Sequence, residues 1–211
     1  MTLVASTLQR LKAVRPHTWW FVGLCMFVVV FDQVSKYYAV AHLTRAFEAA
    51  GGEPLGFAER LDRFCWTEHP VRSEPVAVLD NFWHFRYAEN PGAAWSFLAG
   101  APQWFRTPFL LLISVAAMVF IVVYYRRTTE AQRLLRVALA LVFGGAVGNF
   151  FDRVRLGYVI DFIDWHWYDK ATWPTFNVAD SAISVGVALM ILEMLWHKLR
   201  AARGAARALG D

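Results

Sequence analysis

The chain has 211 residues, of which 57% are hydrophobic and only 18% charged, with 10 Trp and 17 Phe. A soluble fold of this size has no interior large enough for so much apolar surface, so composition points to one membrane domain. The net charge of +4 is concentrated beside apolar runs. No basic–aromatic stripe of the kind that reads nucleic acid accompanies it.

The chain opens with Arg10, Lys12 and Arg15 and no acid, followed by an apolar run over 19–40. A basic stretch before an apolar one is also the start of a signal peptide. This run is longer, is followed by no A-x-A-like site and carries Asp32 and Lys36, so it reads as a retained first span. Asp32 lies 13 residues after Trp19, about 20 Å up a helix rising 1.5 Å per residue. Lys36, one turn on, can pair with Asp32 or snorkel outward.

The segment 41–105 has five Arg against eight Asp and Glu. A short helix is expected around 56–64. Gly51, Gly52, Pro54, Pro70 and Pro75 favour loops over a packed core in 41–80. This stretch reads either as a solvated insertion or as a mobile cover that orders over a site. Cys25 and Cys65 are too far apart in kind of environment to pair. Cys65 with His69 has no orienting third group, so a free cysteine is the simpler reading than a nucleophile. "NFWHFRYAEN" over 81–90 alternates, with Phe82, His84, Arg86 and Ala88 on one face, and suits a strand. Pro91 and Gly92 then turn the chain, leaving Asn90 and Ser96 beside the membrane.

A second span is expected over 107–125 and a third over 134–151, joined by Arg126, Arg127, Arg133 and Arg136 against Glu130. The third ends in "GGAVGNFFDR", where Gly144 and Gly148 permit close approach of another helix and Asn149 and Arg153 are at i,i+4. A strand is expected over 156–163, followed by an interfacial belt of Trp165, Trp167, Tyr168 and Trp173. The fourth span, 178–196, begins beside Asn177 and Asp180 and is followed by Lys198, Arg200, Arg203 and Arg207 against Asp211. By the positive-inside rule both termini and the middle loop are cytoplasmic, and 41–105 and 152–177 are extracytoplasmic. The expected fold is thus an all-α membrane protein: four transmembrane helices, a small extracytoplasmic β-cradle and an outer-surface loop or helix.

Polar residues of spans one, three and four converge at one depth. Individually they read as caps and ion pairs; jointly they read as a site. Asp161 and Asp180 are the chemically suggestive pair. Two carboxylates in a low-dielectric pocket cannot both ionise easily, so one can activate water while the other supplies a proton. Asp152 reads as a structural partner of Arg153, and Asp164 and Asp169 as solvated. A metal-dependent hydrolase would need H-E-x-x-H or a close histidine pair, and the six histidines suggest neither. A proton-coupled transporter would need polar groups through the full depth. The inner halves offer Glu193 alone, and the chain has no internal repeat.

Five blocks in order, "DQVSK" (32–36), "NPGAAWS" (90–96), "GNFFDR" (148–153), "GYVIDF" (157–162) and "FNVADS" (176–181), resemble the type II signal peptidases of bacteria. The resemblance implies a monomeric, metal-independent and cofactor-free aspartyl peptidase of the inner membrane, in contact with membrane lipid and not with nucleic acid. Its substrates would be diacylglyceryl-modified prolipoproteins, cut just before the lipidated cysteine near the periplasmic face. The family's dyad maps to Asp161 and Asp180. Its supporting residues map to Asp32, Lys36, Asn90, Gly92, Asn149, Arg153 and Asn177. Trp95 replaces a common phenylalanine, and 41–80 is longer than the family needs.

Overall fold

The computed structural model describes residues 16–49, 52–93, 97–129, 131–168 and 170–208. Arg10, Lys12, Arg15, Trp95, Ser96, Glu130, Asp169 and Asp211, which figure in the expectations above, lie outside the described residues. Four helices are long and apolar enough to span: α1 (Pro16–Leu43), α3 (Gln103–Arg126), α4 (Arg133–Leu156) and α5 (Val178–Ala208). A short helix α2 (Phe57–Trp66) follows α1. Strands β1 (Val76–Leu79), β2 (Trp83–Asn90), β3 (Val159–Trp167) and β4 (Ala171–Thr172) form one antiparallel sheet in that order.

Helix α4 is central and packs on α1, α3 and α5. Its glycines make this possible: a Cβ at Gly144 would lie 2.8 Å from Val28 Cβ, and one at Gly148 2.5 Å from the Asp32 carboxylate. The other faces of the helices carry exposed Phe27, Phe31, Leu112, Phe120 and Leu192, the residue types that lipid tails accept.

Helix α4 runs five residues beyond the expected end of its span. The apolar pattern stops at Phe151, but no helix breaker occurs until Gly157, which caps the helix at φ 75° in the left-handed region. Asp152 and Arg153 are therefore helical, not loop residues. The following strand accordingly starts at Val159 and continues to Trp167.

The 41–80 stretch is also not a string of loops. Bridges pair Thr44 with Arg72 and Glu48 with Pro54. Phe47 and Phe64 join Val40 and Leu43 of α1, Tyr87 of β2 and Tyr158, Ile160 and Phe162 in one apolar cluster between helix ends and sheet. Arg155 clamps α2 from α4, with its guanidinium 4.0 Å over the Phe64 ring and Nη1 donating to the Phe64 carbonyl at 2.6 Å. Gly52, Pro54, Pro70 and Pro75 fall between these pieces, and Gly51 lies outside the described residues. Phe64→Ala is expected to cost about 3–5 kcal/mol, the usual range for emptying a buried phenylalanine site. Thermal unfolding of the purified variant in detergent checks this; a melting temperature equal to wild type would show that α2 is not anchored there.

Candidate active site

Asn177 stands immediately before α5 because its side chain caps that helix: Oδ1 accepts the Asp180 N–H at 2.9 Å. The cap fixes Asp180 in the first turn. The same amide turns its Nδ2 to Asp161 on β3, donating to Oδ1 at 2.7 Å, with the Ile160 carbonyl at 3.2 Å. Asn149, from the polar end of α4, completes the link. Its Nδ2 donates to Asp180 Oδ1 at 2.7 Å, and its Oδ1 accepts from Asn177 Nδ2 at 3.2 Å. Two amides thus join the two carboxylates in a continuous chain, Asp161–Asn177–Asn149–Asp180. Asp161 and Asn177 are almost completely buried.

Burial is the main influence on Asp161, and the nearby charge of Asp180 adds to it. Together they push its pKa up to about 8, against the opposing effects of Lys36, Asn90 and Asn177.

Behind the amides lies a buried ionic lattice. Lys36 Nζ reaches Asp32 Oδ2 and Asp152 Oδ2, both at 2.8 Å, and Asn149 Oδ1 at 3.2 Å. Lys36 therefore pairs inward and does not snorkel; its side chain has no solvent exposure. Asp32 Oδ1 also accepts the Ala179 N–H at 3.0 Å, so α1 supplies a second cap to α5. Asp152 lies within this lattice, but Arg153, its expected partner, does not bind it. On a continuing helix Arg155 sits at i+3 and binds Asp152 Oδ1 at 2.9 Å, while Oδ2 accepts the Ile160 N–H at 3.2 Å. Asp152 thereby holds β3 at Ile160, one residue before Asp161.

Arg153 points elsewhere, donating from Nη2 to the Gly92 carbonyl at 2.7 Å and from Nη1 to the Asn149 carbonyl at 3.5 Å. Asn90 Oδ1 accepts the Gly92 N–H at 3.0 Å, closing the turn after β2. Gly92 is thus held from both sides, beside the end of β2 that pairs Ala88 with Asp161.

Two participants escaped the sequence reading. Gln33 donates to Asp32 Oδ2, Asp152 Oδ1 and the Gly148 carbonyl, and Arg155 neutralises Asp152. Gln33 sat inside the "DQVSK" block, and the i,i+3 spacing of Asp152 and Arg155 was a usable signal once the helix was allowed to continue. Two other expectations are corrected. Asp164 is buried and paired with Arg86 at 3.1 Å, because β3 extends past it. Histidines do form a close pair: His84 and His166 meet across β2 and β3, with ring centroids 4.4 Å apart. Cys25 and Cys65 are both free.

The arrangement offers one buried and one half-buried carboxylate where the helix bundle meets the sheet, beside a polar turn. It suits hydrolysis of a bond presented along the sheet.

Comparison with known proteins agrees. A sequence model of Signal peptidase (SPase) II matches residues 24–196. The lipoprotein signal peptidase of Anaeromyxobacter sp. (strain Fw109-5) is 48% identical over 188 residues, covering 86% of this chain and 88% of that protein. That of Geobacter sulfurreducens is 48% identical over 129 residues, covering 61% and 79%. A solved bacterial membrane enzyme, determined by the in meso method, superposes with a TM-score of 0.61 at 29% identity, covering 84% of this chain and 88% of its own.

Proposed function

The chain belongs to the signal peptidase II family, a multi-pass membrane peptidase family that removes signal peptides from lipoproteins, and on that premise we propose that Asp161 and Asp180 are its catalytic pair. The observation that carries this reading is the amide chain Asp161–Asn177–Asn149–Asp180. Each amide donates to one carboxylate and is itself held by other groups, so neither carboxylate can swing out of register.

The chemistry follows from sharing one proton. The ionised member removes a proton from a water molecule, which attacks the scissile carbonyl. The protonated member donates to the carbonyl oxygen and then to the leaving amine. This chemistry calls for no covalent enzyme intermediate or metal, so turnover is expected to persist after dialysis against a chelator; loss of turnover that added metal restores would contradict it. The proton belongs to the pair, so neither residue has a fixed resting role.

This gives a pH prediction. With Asp161 shifted up to about 8, the pair retains its proton at neutral pH. Above that value both members are charged and no acid remains, so kcat/KM falls as pH rises through about 8. A rate that stays level through the alkaline range would remove the shared proton from the mechanism.

The substrate is a prolipoprotein carrying diacylglyceryl on its cysteine, cut just before that residue. Its signal peptide would lie against β2 and β3, with Arg153, Gly92 and Asn90 shaping the wall, and its acyl chains would remain in lipid. The excess of Arg and Lys at both ends and in the 126–136 link supports cytoplasmic termini in a bacterial inner membrane, with the site near the periplasmic face. The protein is read as a monomer, which its mass in detergent solution tests. The packed α2 limits any cover to the turns around it. A transporter reading has no support: the buried polar lattice is confined to the sheet end of the helices, and Glu193, the inner exception, faces His197 at 3.6 Å.

A further inference from the structure

We propose that His84, Asp164 and His166 form a zinc site that pins β2 to β3. The sheet register places His84 directly opposite Asp164, and His166 lies two residues further along β3, on the same face as Asp164. One ligand atom from each of the three can be chosen so that all lie within 4.8 Å of one another. Three residues far apart in sequence therefore offer two imidazoles and one carboxylate to a common point.

Each ligand is poised for such a role. The two rings meet edge to face at 66°, and among the described residues neither has a side-chain hydrogen-bond partner. Asp164 is buried and accepts Arg86 through Oδ1, leaving Oδ2 without a donor among the described residues. The Arg86 side chain is 51% exposed, so it can neutralise the carboxylate when the site is empty and swing into solvent when a cation arrives. The backbone beneath is fixed: the His166 N–H donates to the Phe82 carbonyl at 2.9 Å, and His166 pairs with Thr172.

Two imidazoles and a carboxylate select a borderline cation such as Zn²⁺ over Mg²⁺ or Ca²⁺, which take oxygen ligands. Tetrahedral zinc holds its ligands at roughly 2.0–2.2 Å, so the donor atoms must draw closer together. Both histidines are half-buried, which leaves their rings room to turn toward a common ion. The fourth position is left to water. Alternation along β3 puts Asp161 on the opposite face from Asp164 and His166, so this site is separate from the dyad and acts on the sheet, not on the reacting bond.

The test is Zn²⁺ titration of the purified, tag-free full chain in detergent, by calorimetry and by the absorbance of Co²⁺ as a spectroscopic stand-in. One equivalent of Zn²⁺ binds, the melting temperature rises on saturation, and Co²⁺ shows the intense bands of a tetrahedral site. His84→Ala and His166→Ala each weaken binding by about tenfold or more, while His69→Ala, which removes a histidine paired with Glu89 near the opposite end of β2, leaves it unchanged. The two histidine variants leave the Arg86–Asp164 pair intact and keep the test independent of folding. No zinc uptake by the wild-type chain at micromolar metal, or uptake undiminished in both histidine variants, overturns the proposal.

Discussion

Asp161→Asn and Asp180→Asn each yield a folded membrane protein that no longer cleaves its precursor. An amide is nearly the same size as a carboxylic acid, and both positions already face amide or backbone donors, so the packing survives. What is lost is the shared proton. Neither variant can hold one carboxylate charged and the other protonated, so water activation and leaving-group protonation fail together. General acid–base contributions of roughly 10²–10⁴ set the expected loss for each single variant. The double variant loses no more than the worse single one, because the pair acts as a unit. Single-turnover cleavage by each purified variant measures this. Near-wild-type rates from either would take that residue out of the mechanism.

Lys36→Met should produce a large loss of stability, comparable to that of Phe64→Ala. Lys36 has no solvent exposure and touches Asp32 and Asp152, both also fully buried. Arg155 supplies a second cation to Asp152, so the four charges sum to zero. Methionine fills similar volume but leaves one buried negative charge uncompensated, which costs about 3–5 kcal/mol. Adding Asp32→Asn should recover part of that loss. The asparagine keeps an oxygen for the Ala179 N–H that Asp32 caps and removes the surplus charge. Melting temperatures of the two single variants and the double variant give the coupling. Strict additivity would show that these residues do not form one electrostatic unit.

The four spans were legible because each apolar run is bounded by charges or turn residues; the first three helices extend at most five residues beyond the expected ends, and α5 continues twelve residues further to Ala208. The described residues of four blocks meet because those blocks sit at or near element ends: Asn177 precedes α5, Asn149 and Arg153 lie in the last turns of α4, Asp161 is near the start of β3 and Asn90 ends β2, while Asp32 and Lys36 reach them from within α1. What the sequence obscured was the course of the chain where hydropathy no longer guides it. Helix α4 continues through polar residues until Gly157, so Asp152 meets Arg155 instead of Arg153. The contribution of Phe47 and Phe64 was hidden because the acids and glycines around them describe the exposed faces of a packed segment. The His84–His166 contact depends on strand register, including the irregularity between Phe85 and Ala88, which no local pattern announces.

The most direct measurement of the central claim is cleavage of one lipoprotein precursor, with and without diacylglyceryl on its cysteine, by the wild-type chain and by the Asp161→Asn/Asp180→Asn variant, with the new termini read by mass spectrometry. The wild-type chain is expected to cut the lipidated precursor just before the modified cysteine and to leave the unmodified one largely intact, and the double variant to cut neither. Equal cleavage of both precursors, a cut at another position, or turnover by the double variant would contradict a dyad built for lipoprotein signal peptides.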